Sequence, residues 1–269
     1  MSINPADTAT RIAQALLSRR AMIGAAVGAA VTAVVAACTG QSSSQGTASP
    51  AASPSAAGAT PGLTPSAAAS VPVPACVLTT GVTEGPYFVD ENLDRSDIRV
   101  DPSDGTTRPG VPLKLTFNVS TVAGGSCTAL AGAQVDVWHC DASGHYSDVA
   151  QNGTSGKKYL RGYQVTDANG VASFTTIYPG WYQGRAIHIH FKVRTASAAR
   201  AAKQVTSQIF FDDGLSDIVM TQDAYTGRGT RDMRNGDDMI YGGNTSLLLP
   251  LVRDRAGYAG TFGVGLTSA

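Results

Sequence analysis

A chain of 269 residues with 43% hydrophobic content is long enough for one large domain or two small ones. Its 20 basic residues balance 20 acidic ones, and neither sign forms a long run. That excludes the clustered Lys/Arg footprint of a nucleic-acid binder and points to small molecules as partners.

The first element is not part of a fold. Residues 18–38 read SRRAMIGAAVGAAVTAVVAAC, with paired arginines, an Ala/Gly/Val run and a cysteine, which is the pattern of an export signal. Adjacent Arg19 and Arg20 suggest the twin-arginine route. VAAC at 35–38 resembles a lipoprotein cleavage box, with Cys38 as the lipidated residue. The alternative is an uncleaved anchor, for which the run is short and poor in large apolar side chains. Either way the body of the chain is expected outside the cytoplasm. From 39 to 74 the sequence is nearly all Ser, Ala, Thr, Gly and Pro, too poor in apolar surface to order itself, and reads as a disordered tether. Residues 75–269 remain as a single domain.

In an oxidising compartment, two of Cys76, Cys127 and Cys140 are expected to pair. AQVDVWHC, ending at Cys140, spans on the order of 25 Å if extended. That disfavours a Cys127–Cys140 bridge and favours one from Cys76 to either of the others.

Alternation of apolar and polar residues predicts strands at 111–120, 133–140, 186–193 and 205–212, and a hairpin over 163–177 around an Asp-Ala-Asn-Gly turn at 167–170. SAARAAKQ (197–204) predicts a turn or two of helix, and MTQDAYTG (220–227) is ambiguous. The tail after Asp223 reads as an extended arm with one late strand or packing segment at SLLLPLV. Regularly spaced strands with turn signals predict an all-β antiparallel sandwich with Greek-key connections and long loops.

Two of the four histidines, His188 and His190, alternate in PGWYQGRAIHIHF at 179–191. On a strand they share one face, about 6.5–7 Å apart along the chain, while Ile187, Ile189 and Phe191 face the core. Two imidazoles do not name a metal, since Zn, Cu and Fe all accept them, and an isolated HxH is equally consistent with two satisfied structural histidines. Tyr182 follows a Pro-Gly corner, and Tyr146 follows Gly144 in DASGHYSD. A bound trivalent cation would hold such phenols as phenolates, although the chain has nine tyrosines to choose from. His139 and His145 read as non-ligands.

At this point the chain resembles the intradiol ring-cleavage dioxygenases. The resemblance runs in order through CVLTTGVTEGPYFVD (76–90), RSDIRVD (95–101), VDVWHCDASGHYSD (135–148), YLRGYQVTDANGVASFTTIYPGWYQGRAIHIHFKV (159–193) and TSQIFFD (206–212). It implies a β-sandwich and a nonhaem Fe(III) held by Tyr146, Tyr182, His188 and His190. It further implies cleavage of catechols by O2 between the two hydroxyl-bearing carbons, giving cis,cis-muconate-type products. Tyr182 would leave the metal to act as a base, Arg185 would stabilise anionic ring character, and Gln208 would orient the ring. Glu84, Gly85, Pro86 and Tyr87 match the wall of the family's site, with Tyr87 a substrate contact. The helical dimerisation segment of the cytoplasmic enzymes is replaced here by the tether, and the Tyr182–His188 connection is shorter than theirs. Two other readings stand beside this one: a copper or zinc sandwich using His188, His190 and His139 or His145, and a noncatalytic module for aromatics or carbohydrate.

Overall fold

The structure, a computed structural model, describes residues 77–195 and 203–267, all within the unit Pro65–Ala269. The segments read as an export signal at 1–38 and as a tether at 39–74, together with Cys38, Cys76 and most of the helical turn expected at 197–204, lie outside the described residues.

In chain order the strands are β1 (Pro112–Ala123), β2 (Ser126–Ala129), β3 (Ala133–Trp138), β4 (Arg161–Val165), β5 (Val171–Ile177), β6 (His188–Thr195) and β7 (Gln204–Phe210). A helix α1 (Asp213–Met220) follows, then β8 (Leu251–Asp254) and β9 (Gly257–Thr267). One sheet runs β4-β3-β6-β7; the other runs β2-β1-β9-β8, with β5 also paired to β1. The all-β sandwich expected from alternation is the observed class. Leu113, Leu115, Phe117 and Val119 of β1 and Ile189, Phe191 and Val193 of β6 are buried in one core. Phe117 lies 5.3 Å from Phe191 across the sheets, and Phe262 of β9 lies 5.5 Å from Phe191. Each such ring contributes about 1.5–3 kcal/mol by leaving water, so the aromatic cluster is a main tie between the layers.

Four details differ from the sequence reading. The strands of 163–177 do not pair with each other: β4 joins β3, and β5 joins β1 in the other sheet. The turn is there, closed by Gly170 N donating to Asp167 O at 3.0 Å, but it carries the chain between layers, because Ala172 and Phe174 are needed in the core beside β1. The sheet is not wholly antiparallel, since β1 and β9 run parallel from Leu113↔Tyr258 to Val122↔Thr267. The tail is no loose arm: β8 and β9 form an antiparallel pair, and β9 is central to its sheet. The helix α1 went unread. Its Asp212 cap accepts from Leu215 N at 2.8 Å, but only Ser216 and Val219 are buried, which leaves little amphipathic pattern to detect.

Cys127 is disulfide-bonded and Cys140 is a buried free thiol. The bridge therefore reaches a cysteine outside the described residues, and Cys140 takes no part in it.

Candidate metal centre

The strand β6 sorts its side chains by alternation. Ile189, Phe191 and Val193 are fully buried in the sandwich core; His188, His190 and Lys192 occupy the opposite face of the sheet. Directly opposed residues share a face, so the register places Arg161 of β4, Trp138 of β3, His190 of β6 and Gln208 of β7 in one row across all four strands. The Trp138 indole stacks on the His190 ring at 5.0 Å and 10°, which fixes the imidazole plane from one side.

Two loops bring tyrosines over this row. In 141–146 the Asp141 carboxylate accepts from Ser143 N, Ser143 Oγ and His145 N at 2.7–3.0 Å, which winds the turn and delivers Tyr146, 1% exposed. The second loop, 178–187, delivers Tyr182. The two rings lie 5.6 Å apart at 72°. Four donor atoms converge: His188 Nε2 lies 3.0 Å from His190 Nε2, 3.2 Å from Tyr182 Oη and 3.4 Å from Tyr146 Oη. Ligand atoms about 2.1 Å from a common ion and 90–120° apart are separated by about 3.0–3.6 Å, so the spacing fits one first-row metal ion.

The electrostatics fit as well. The His188 Nδ1–H donates to Ala186 O at 2.7 Å, leaving the Nε2 lone pair free toward the other donors. Burial, then the Arg185 charge, pushes the His188 pKa down to about 3. Burial, then His188, holds His190 well below the ordinary histidine value. Both imidazoles are thus neutral, as metal ligation requires. Burial raises Tyr182 to about 12, against the lowering effect of Arg185, and burial, seconded by Tyr182, holds Tyr146 well above the ordinary tyrosine value. By itself the protein keeps both phenols protonated; a multivalent cation reverses that balance. Among the described residues, His190 Nδ1 is buried without a partner.

The remaining predicted residues fall around this quartet. Arg185 sends Nη2 to Gln208 Oε1 at 2.6 Å and places Nη1 3.5 Å from both Tyr182 Oη and His188 Nε2. Gln208 is fully buried and donates to Thr83 O at 3.0 Å. The segment 83–91 straps across the row. Glu84 pairs with Lys192, whose ammonium also sits 3.6 Å over the Phe88 ring. Tyr87 stacks on Tyr146 at 4.4 Å. Gly85 passes so close to His190 that a Cβ there would lie 3.3 Å from Cε1. Pro86 lies between them in the same strap.

His139 and His145 are not part of the quartet. The His139 nitrogens face Cys140 O at 2.8 Å and Thr176 Oγ1 at 2.7 Å, toward the other sheet. His145 Nδ1 meets Ser143 Oγ at 3.1 Å. Among the described residues no group of three His, Cys, Asp or Glu side chains forms a metal site, so the three-histidine copper or zinc arrangement is not assembled. Nor does cavity size locate the centre: a cavity of about 560 Å³ bordered by Val77, Asn118, Phe262 and Val264 touches none of the four donors.

His139 makes a pH prediction. Burial, more than the neighbouring Cys140 carbonyl, sets its pKa at about 4, below the ordinary 6.5. Between these values the unfolded chain binds the proton and the folded chain does not, so acid favours unfolding. The contribution is intact above pH 6.5 and is lost as pH falls toward 4. It amounts to about 2 kcal/mol between pH 7 and pH 5. Denaturant unfolding of metal-free protein should show His139→Gln losing much less stability than wild type over that range; equal losses would refute the assignment.

Sequence reasoning missed two supports. Arg161, 3% exposed, donates only to neutral acceptors: Ser147 Oγ at 2.8 Å, Ser147 O at 2.7 Å and Tyr87 O at 2.6 Å. It thereby ties the backbone after Tyr146 to the backbone of the tyrosine stacked on it. Asp238 accepts from Arg185 Nε and Ala186 N, both at 2.8 Å. Arg161 lay within the stretch 159–193 that carries the family resemblance but just before the strand read from 163, and nothing in GDDMI (236–240) marked Asp238.

The family described as "Dioxygenase" matches residues 83–230, just over half of the 269 residues. Over 149 residues the chain is 28% identical to catechol 1,2-dioxygenase 1 of Acinetobacter lwoffii, covering 47% of this chain and 45% of that one. Over 112 residues it is 33% identical to chlorocatechol 1,2-dioxygenase of Pseudomonas putida, covering 35% and 41%. The matches thus span less than half the length of these curated relatives. The structure of an intradiol ring-cleavage dioxygenase from Tetranychus urticae superposes with a TM-score of 0.62 at 29% identity, over 71% of this chain and 95% of that one.

Proposed function

The chain belongs to the intradiol ring-cleavage dioxygenase family, and from that premise we propose that it is a nonhaem Fe(III) enzyme opening catechols between their hydroxyl-bearing carbons. Both atoms of O2 enter the product, a cis,cis-muconate-type diacid. The observation that carries this reading is the convergence of Tyr146 Oη, Tyr182 Oη and His190 Nε2 within 3.0–3.4 Å of His188 Nε2. Two phenols and two neutral imidazoles suit a ferric ion, since two phenolates offset its charge and leave room for an anionic bidentate substrate. When bound, that ion would supply the Lewis acidity that holds a deprotonated catechol and makes its ring reactive toward O2.

The chain's own residues divide the rest of the work. Tyr182 is the less buried of the two tyrosines, so its oxygen is the better placed to receive a catechol proton. Arg185, permanently charged, faces the same oxygen and stabilises negative charge on the ring. Gln208, locked by Thr83 O and Arg185, orients the ring, and Tyr87 walls the substrate beside Tyr146. We further propose, on the sequence pattern of residues 18–38 alone, export by the twin-arginine route and anchoring through a lipidated Cys38.

The test is colour followed by product. Iron-replete protein is expected to be wine-red from tyrosinate-to-iron charge transfer, and catechol with O2 should yield a ring-opened diacid 32 mass units (about one O2) heavier than catechol. A colourless iron-replete sample sinks the reading. A semialdehyde product would replace intradiol with extradiol cleavage.

A further inference from the structure

The loop that carries Tyr182 and Arg185 is short, and the structure shows what braces it. Three residues of the following arm grip it from outside. Arg228 Nε donates to Trp181 O at 3.0 Å, with its guanidinium 5.0 Å from the Trp181 ring centroid. The Asp232 carboxylate accepts from Gly184 N at 3.2 Å. Asp238 then takes both Arg185 Nε and Ala186 N on a single oxygen, Oδ2, each at 2.8 Å. Its other oxygen accepts from Ile240 N at 2.8 Å and Tyr241 N at 3.2 Å. Asp232 and Asp238 both lie beyond residue 230, where the family match ends.

Asp238 differs from the other two. Its side chain is 1% exposed, against 19% for Arg185, so the ion pair is shielded from water on the carboxylate side. A guanidinium held at Nε by a fixed carboxylate has one remaining freedom, rotation about its stem, and the Gln208 bond to Nη2 removes it. The third nitrogen, Nη1, is then left facing Tyr182 Oη and His188 Nε2. Without the carboxylate, the flexible arginine stem has several rotamers that turn this nitrogen away. Burial would raise the Asp238 carboxyl, but the Arg185 bond and the amides of Ala186 and Ile240 bring it below the usual carboxylate value.

We propose that Asp238 is a positioning residue that aims the Arg185 guanidinium at the metal-binding quartet, so that the arm at 228–241 is a working part of the site. The inference rests on the dioxygenase reading for its kinetic consequence and on geometry alone for its structural one.

Asp238→Asn is the test: it is nearly isosteric, and its one oxygen can keep the Ile240 and Tyr241 amides while its NH2 faces Arg185 Nε and Ala186 N and cannot accept from them. Exposed Asp237→Asn is the control. Two readouts are taken. In metal-free protein labelled with 15N-arginine, the Arg185 Nε–H resonance should exchange slowly in wild type and Asp237→Asn and rapidly in Asp238→Asn. In iron-loaded protein, kcat on catechol should fall about 30-fold in Asp238→Asn, as supporting residues around metal sites typically cost 10–100-fold, with KM changed less than about threefold. Unchanged exchange, or wild-type kcat in a folded, iron-replete variant, overturns the proposal. Should Asp238→Asn prove unstable, Arg185→Gln/Asp238→Asn, which strands no cation, replaces it. Its kcat should equal that of Arg185→Gln alone, and a further loss overturns the proposal. Wild-type protein without ring-cleaving turnover would sink the functional reading instead, and the exchange measurement would still decide the geometric claim.

Discussion

His190→Ala is expected to leave less than about a tenth of the bound iron and to cut catechol turnover about 10³-fold, equivalent to about 4 kcal/mol of barrier. The substitution removes one of four converging donors, and no neighbour stands ready to replace it. Gln208, its register partner, is already committed to Thr83 O and Arg185. Trp138, stacked on the other side, offers no lone pair. Fold stability should move far less than iron content. The imidazole carries a buried nitrogen without a partner among the described residues, an unfavourable group of about 1–3 kcal/mol whose removal offsets part of the cavity cost. Metal analysis, the charge-transfer band and thermal unfolding on one preparation separate these effects. His145→Ala is the counter-test: it should keep the iron, because its ring bonds to Ser143 Oγ. Iron lost from His145→Ala and retained by His190→Ala would overturn the quartet.

The parts of this centre legible in the sequence are those written in local periodicity. Alternation alone put His188 and His190 on one face and Ile189 and Phe191 in the core, because a strand repeats every two residues whatever it packs against. The two tyrosines were legible only as motifs around glycine. No local rule says that a turn at 141–146 and a corner at 178–182 will meet.

What stayed unread is tertiary. The strand β9 reads GYAGTFGVGLT, where glycine at every second or third position hides the alternation. Those glycines mark close contacts: a Cβ at Gly257 would lie 2.1 Å from Pro112 O, and one at Gly265 would lie 2.3 Å from Val77 O. Asp238 is a surface-type residue in a Gly/Asp/Arg-rich tail, and its burial depends on an arginine 53 positions earlier. Arg161 and Trp138 look like ordinary strand residues until register sets them in the row with His190. Register across four strands is a property of the whole sheet, not of any window.

The meeting of the two tyrosine loops yields the second large effect, at Gly144. Its φ is +81°, in the left-handed region, and a Cβ there would lie 2.2 Å from Trp181 O and 2.9 Å from Arg228 Nε. Opposite it, a Cβ on Gly180 would lie 2.4 Å from Ala142 O. The loops bearing Tyr146 and Tyr182 thus touch backbone to backbone, and glycine on each side lets the two rings come within 5.6 Å. Gly144→Ala therefore carries two costs: about 1–2 kcal/mol for the left-handed conformation and about 1–3 kcal/mol for forcing backbone apart in a packed region. The expected total of about 2–5 kcal/mol lowers Tm by about 5–20 °C. Gly153→Ala is the matched control, since its φ is +69° and none of the described residues lies within 4 Å of a Cβ there; it should show the conformational cost alone. The difference between the two variants isolates the contact. That contact lies between carbonyl-bearing backbone one residue before Tyr182 and two residues before Tyr146. Relieving it must separate the tyrosines, so iron-loaded Gly144→Ala should also show a weakened or shifted tyrosinate band while Gly153→Ala keeps the wild-type spectrum. Equal stability losses in the two variants, with identical spectra, would mean that the glycine contact does not set the spacing of the two tyrosines.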